Sequence, residues 1–168
     1  MLASTSSSFK VGEAYPVFLY PESAISNTKL ARCGFSVPLE NSKLAIQKLD
    51  LTNLIEKLSK PSRLAGAVWE KKALLRAVEV YKNWLWIIKK YSAEYFPLPP
   101  SIGIDEIWHY HIFDTKRYIW DCESIFGHFL HHNPYVEEGI NLKEGFKTTS
   151  SLYKAEFGEE LPSFLIES

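Results

Sequence analysis

The sequence predicts an all-α fold: a compact helical bundle with a central αα-hairpin and an irregular N-terminal arm. Three observations carry that prediction. From Trp69 to Tyr91 apolar side chains recur on one broad stripe, and no Gly or Pro interrupts them. Ile104, Ile107, Trp108, His111 and Ile112 follow the spacing i, i+3, i+4, i+7, i+8, which is again helical. Runs with the period-two alternation of a strand are nearly absent, and prolines flank the periodic stretches.

Taken in order, residues 1–12 read as a flexible tail, because small polar side chains cannot offset the entropy lost on ordering them. The start is Ser-rich and has no acidic residue before Glu13, but it lacks the arginines and amphipathic run of a transit peptide. Residues 13–40 hold two short apolar runs, Tyr15 to Tyr20 and Cys33 to Val37, separated by Pro21 and a polar segment. They suit an irregular arm or short hairpin. A single helical domain is expected over 41–160 and a C-terminal tail over 161–168.

Within that domain, Asn41 and Ser42 are candidate caps for a helix with Leu44, Leu51, Leu54, Ile55 and Leu58 inward. Pro61 ends it, and a break at Asp50–Thr52 would divide it in two. The stripe of Trp69, Ala73, Leu74, Ala77, Val80, Tyr81, Trp84, Leu85, Ile88 and Tyr91 marks the scaffold helix, and its aromatics read as core. Pro97, Pro99 and Pro100 force an extended connection. A helix over about 102–113 follows, then Asp114 as the cap of the next, which carries Tyr118, Cys122, Ile125, Phe126 and Phe129 inward. Asn141 caps a last helix with Leu142, Phe146, Leu152, Tyr153 and Phe157 on one side, stopped by Gly158.

Composition narrows the function classes. A chain of 168 residues is one domain by length and long enough to bury a sizeable core. With 19 basic and 20 acidic residues it has no basic excess, so little counterion-release energy is available and nucleic acid is not expected as a partner. No stretch approaches the roughly 20 apolar residues that span a bilayer, so no membrane association is expected. Cys33 and Cys122 are far apart in a chain with no secretory signal, which points to a reducing, cytoplasmic setting. The partner is then a small molecule or another protein.

Chemistry concentrates between Ile104 and Tyr135, which hold all five histidines, Cys122, Asp105, Asp114 and Asp121. His111 falls on the apolar face of its helix, while Asp105 and His109, four apart, stack on a neighbouring face. His109 and His111 lie about 200° apart around a regular helix, so both can chelate one ion only if the helix loosens. The hairpin about Asp114 can bring His111 to the level of Asp121 and Cys122, and the exit from Gly127 can return His131 or His132 to the same place. Three or four such groups form a ligand set for zinc, and a His/Asp set with open positions also suits iron or manganese. The spacing matches neither a zinc finger nor H-E-x-x-H. Each residue also has a structural role open to it: His111 as a hydrogen-bonded core histidine, Asp105 with His109 as a helix pair, Cys122 as a small hydrophobe.

The runs DEIWHYHIFDT and YIWDCESIFGHFLHHNPY resemble the glycine-rich domain-containing protein-like family, also described as a domain of unknown function, in its short bacterial-type form. The resemblance rests on Asp105, Trp108, His109, His111, Tyr118, Asp121, Gly127, His132 and Tyr135. It implies an all-α domain with no settled activity, and it places Asp121 and His132 ahead of Cys122 and His131. The chain departs from the plant members in having only 8 glycines and no glycine-rich tail.

The expected site is therefore a metal centre drawn from His109, His111, Asp121 and His132, taking zinc, iron or manganese. Asp105 would orient His109, and Trp108, Asp114, Tyr118, Cys122, His131 and Tyr135 would support the site. Two other classes compete with it. One is a non-enzymatic interaction module in which the cluster is a structural hydrogen-bond network. The other is an enzyme using Cys122 as nucleophile with a histidine.

Overall fold

Six helices and no strand are present among the residues that the computed structural model describes, which are 37–60, 69–95, 97–132 and 142–164. The expected tail, nearly all of the expected arm, Tyr135 and the cap residue Asn141 lie outside the described residues. The described residues all belong to one unit, Gly34–Ser168.

Helix α1 spans Leu39–Lys48 and α2 spans Thr52–Leu58. The break between them is the expected one, and Asp50 makes it by accepting from the amide and hydroxyl of Thr52 at 3.1 and 2.7 Å. The start differs from expectation. Pro38 precedes the helix, so Asn41 and Ser42 lie inside it. Ser42 is buried and donates to the Ile125 carbonyl at 2.7 Å, a tertiary tie that replaces the expected capping role. Leu44, expected inward, is 52% exposed, because the face that packs is the one carrying Ser42 and Ile46.

Helix α3, Lys71–Tyr91, is the scaffold, packing against α1, α2, α4 and α6. The Glu70 carboxylate caps it by accepting from the Ala73 amide at 2.8 Å. Trp69, expected on its stripe, stands just outside the helix. It is nevertheless buried, and its indole N–H donates to Glu106 at 3.0 Å. The inward side chains include Leu74, Val80, Tyr81, Trp84, Leu85 and Ile87, each contributing about 1.5–3 kcal/mol of burial where large and apolar.

After the prolines come α4, Ile102–Phe113, and α5, Thr115–Phe126. They form the expected αα-hairpin, with Asp114 accepting from the Arg117 amide at 3.4 Å as the cap of α5. Tyr118, Cys122, Ile125 and Phe126 face inward as expected. Phe129 does not; it lies past the helix end, 37% exposed, with its ring against Tyr118 and His131. Gly127 ends α5 in the left-handed region at φ 76°, where a side chain would be strained.

Helix α6, Leu142–Phe157, stops before Gly158, which is also left-handed at φ 72°. Its buried positions are Gly145, Thr149 and Tyr153, whereas Leu142 and Phe146 are exposed. The reason is close approach: a Cβ on Gly145 would meet the Pro97 carbonyl oxygen at 2.8 Å, so the small face of α6 is the one that packs. Leu161 and Phe164 continue past α6 onto the core, with the Phe164 ring 5.9 Å from that of Trp69. No helix among the described residues is long and apolar enough to cross a membrane.

Candidate metal centre

The hairpin and its exit assemble two polar constellations. The first is built on α4, where four-residue spacing stacks Asp105 beneath His109 with 3.5 Å between Oδ2 and Nδ1. The left-handed Gly127 turns the chain back toward α4, and five residues later His132 reaches the pair. Its Nε2 lies 3.0 Å from Nε2 of His109 and 3.4 Å from Oδ1 of Asp105. One ligand-type atom from each of Asp105, His109 and His132 lies within 4.8 Å of the others. All three side chains are part-exposed. Two imidazole nitrogens on a tetrahedral zinc at about 2.0–2.1 Å would stand about 3.3–3.4 Å apart, so the two rings, now at hydrogen-bond distance from each other, need open by only a few tenths of an ångström to share an ion.

The surroundings hold this geometry. The Trp108 ring meets His132 in a T-shaped contact with centroids 4.6 Å apart. The Trp108 indole N–H donates to the Tyr118 hydroxyl at 2.8 Å, and that hydroxyl donates to the Leu130 carbonyl at 2.7 Å, two residues before His132.

The second constellation is buried. His111, 3% exposed, has Nδ1 at 2.8 Å from the Tyr81 hydroxyl and Nε2 at 3.1 Å from Oδ2 of Asp121. The same carboxylate oxygen accepts from Nε of Arg117 at 3.1 Å. Burial, reinforced by Tyr118, Cys122 and Asp121, pushes the Tyr81 phenol far above its ordinary pKa, so it remains a donor. The roles that satisfy every atom are Tyr81 O–H to Nδ1 and Nε2–H to Asp121. These groups already have partners.

The four residues from which the site was expected to be drawn therefore divide. His109 and His132 come together, His111 and Asp121 pair with each other, and Asp105, expected to orient His109, stands among the possible donors itself. Asp114 is occupied as a helix cap. His131 is exposed and touches the Phe129 ring. Cys122 is 2% exposed, and burial raises its thiol above the ordinary value, which removes the support for a nucleophilic role. Sequence reasoning missed Tyr81 and Arg117. Arg117 and Asp121 at i, i+4 could have been noticed, whereas no local signal pairs Tyr81 with a histidine 30 positions away.

Fold and site together define a small all-α protein with a His/Asp cluster geometrically able to hold a metal ion. The UCP032817-like family model matches residues 49–154, more than half of the chain, and the protein belongs to that family. This corrects the expected membership in the glycine-rich domain-containing protein-like family, which the family match does not support. No curated protein and no solved structure matches the chain.

Proposed function

We propose that the protein binds one divalent transition metal, zinc, iron or manganese, through Asp105, His109 and His132. The observation that supports this reading is the convergence of two imidazoles and a carboxylate within 4.8 Å on a part-exposed surface. Three protein donors leave coordination positions open, and a metal held in that way supplies Lewis-acid chemistry to a water or a small oxygen-containing ligand. His111 and Asp121 serve the fold in this reading, and the cytoplasmic setting agrees with the free thiol of Cys122. Elemental analysis of protein purified without an affinity tag tests it. Zinc, iron or manganese near one equivalent is expected, and an Asp105→Ala, His109→Ala double variant of unchanged helicity should carry none. A wild-type protein that contains no metal and takes up none of the three on dialysis would overturn the proposal.

A second reading, a protein-interaction module, draws on Phe113 at 72% and Trp120 at 73% exposure on the outside of the hairpin. A Trp120→Ser, Phe113→Ser variant that retains metal yet loses its cellular partners would favour it.

A further inference from the structure

From the bonds around the turn that follows α5, we infer that Tyr118 is a positioning residue, fixing His132 by clamping Leu130. This inference rests on the proposed metal site for its functional meaning and on the turn's own geometry for its structural content. His132 lies outside any helix, on the irregular segment 127–132, so no backbone ladder fixes its place. His109 and Asp105 meet its imidazole directly, but the backbone that carries the ring needs a hold of its own. The Leu130 carbonyl accepts from the buried Tyr118 hydroxyl at 2.7 Å. The Tyr118 hydroxyl is itself oriented, because it accepts from Nε1 of Trp108 and so has its single proton left for Leu130.

The ring of Trp108 closes the arrangement by packing against His132, so one indole both aims the clamp and walls the imidazole. The Tyr118 ring also meets His111 edge-on, with centroids 4.9 Å apart. It therefore stands between the structural network and the candidate metal donors. Loss of its hydroxyl would release Leu130 and let His132 sample positions away from His109. A ligand that must be ordered on binding costs affinity, and removal of groups that orient metal ligands typically weakens binding about 10- to 100-fold.

The test uses the full chain as wild type, Tyr118→Phe and, as a control, Tyr153→Phe, which loses bonds to Asn83 and Glu159 in the contact of α3 with α6. Two quantities are read well below the melting temperature: the His132 imidazole proton shifts in metal-free protein, which the Trp108 ring current displaces, and the zinc dissociation constant. Tyr118→Phe should return the His132 shifts toward random-coil positions and weaken zinc by about 10-fold or more, with Tyr153→Phe matching wild type in both. Unmoved His132 shifts in folded Tyr118→Phe would overturn the inference, as would equal weakening in the two tyrosine variants. If Tyr118→Phe does not fold, the wild type is read instead by the exchange of the Tyr118 hydroxyl proton with solvent, which the bond to Leu130 should slow; fast exchange would overturn the inference. If the wild type binds no zinc but the shifts move only in the clamp variant, the positioning role stands and zinc is withdrawn from the metal proposal.

Discussion

Replacing His111 by alanine separates the two constellations most sharply. The side chain is almost fully buried and links the phenol of Tyr81 to the carboxylate of Asp121. Its removal leaves a cavity of imidazole size and strands the fully buried Tyr81 hydroxyl, a desolvated polar group costing about 1–3 kcal/mol unpaired. Asp121 loses less, since Arg117 still reaches it and its side chain is part-exposed. Adding a cavity cost, partly relieved by collapse, gives a loss of about 2–4 kcal/mol. For a chain of this size that lowers the melting temperature by about 4–16 °C. Circular dichroism against temperature and urea measures it, with zinc affinity recorded on the same samples below the transition. The affinity should be unchanged, because His111 is not among the three proposed donors. Destabilisation under about 1 kcal/mol would show that the buried chain carries no weight, and a folded variant that had lost metal would place His111 in the site.

Gly145→Ala tests the packing of α6. Helix propensity alone would make it stabilising by about 1 kcal/mol, but the new Cβ would meet the Pro97 carbonyl oxygen at 2.8 Å, so a net loss of about 1–2 kcal/mol in urea denaturation is expected. A gain would mean that the Pro97–Pro100 segment yields freely. Glu156 anchors α6 to α3 by accepting from Trp86, Lys90 and Tyr91. Burial works to raise its pKa, but hydrogen bonds from Lys90, Tyr91 and Trp86 outweigh that and lower it from the ordinary 4.5 to about 2. A depressed folded pKa contributes stability that is present above the unfolded value and lost as pH falls from about 4.5 toward 2. Glu156→Gln should therefore cost about 2–3 kcal/mol at pH 7 and progressively less below pH 4; a cost independent of pH would contradict the assignment.

The parts of this structure that were legible in the sequence are those set by local chemistry. Periodicity located α3 and α4, Asp114 announced the start of α5, and Gly158 marks a stop that needs left-handed backbone, whereas the apolar stripe carried α5 on to Phe129 although Gly127 ends it. Where a residue had both a local and a tertiary use, the tertiary one prevailed. Ser42 looks like a cap but bonds Ile125, 83 positions away. Leu142 and Phe146 look inward, but close approach to Pro97 selects the Gly145 face. At the site, the Asp105–His109 step and the divergence of His109 from His111 both follow from helix geometry. That His111 finds Tyr81, and that His132 rather than Asp121 joins His109, depends on how α3 and the turn after α5 pack against α4. Spacing along the chain carries no signal for either.

The donor set itself is best tested by X-ray absorption at the edge of the bound metal, after tag-free protein has been loaded with one equivalent of zinc. Nitrogen and oxygen scatterers are expected at about 2.0–2.2 Å, with an outer-shell pattern that fits two imidazoles, falling to one in His132→Ala and remaining two in His111→Ala. A sulfur scatterer at about 2.3 Å, a third imidazole that disappears with His111, or a spectrum unchanged by His132→Ala would contradict that donor set.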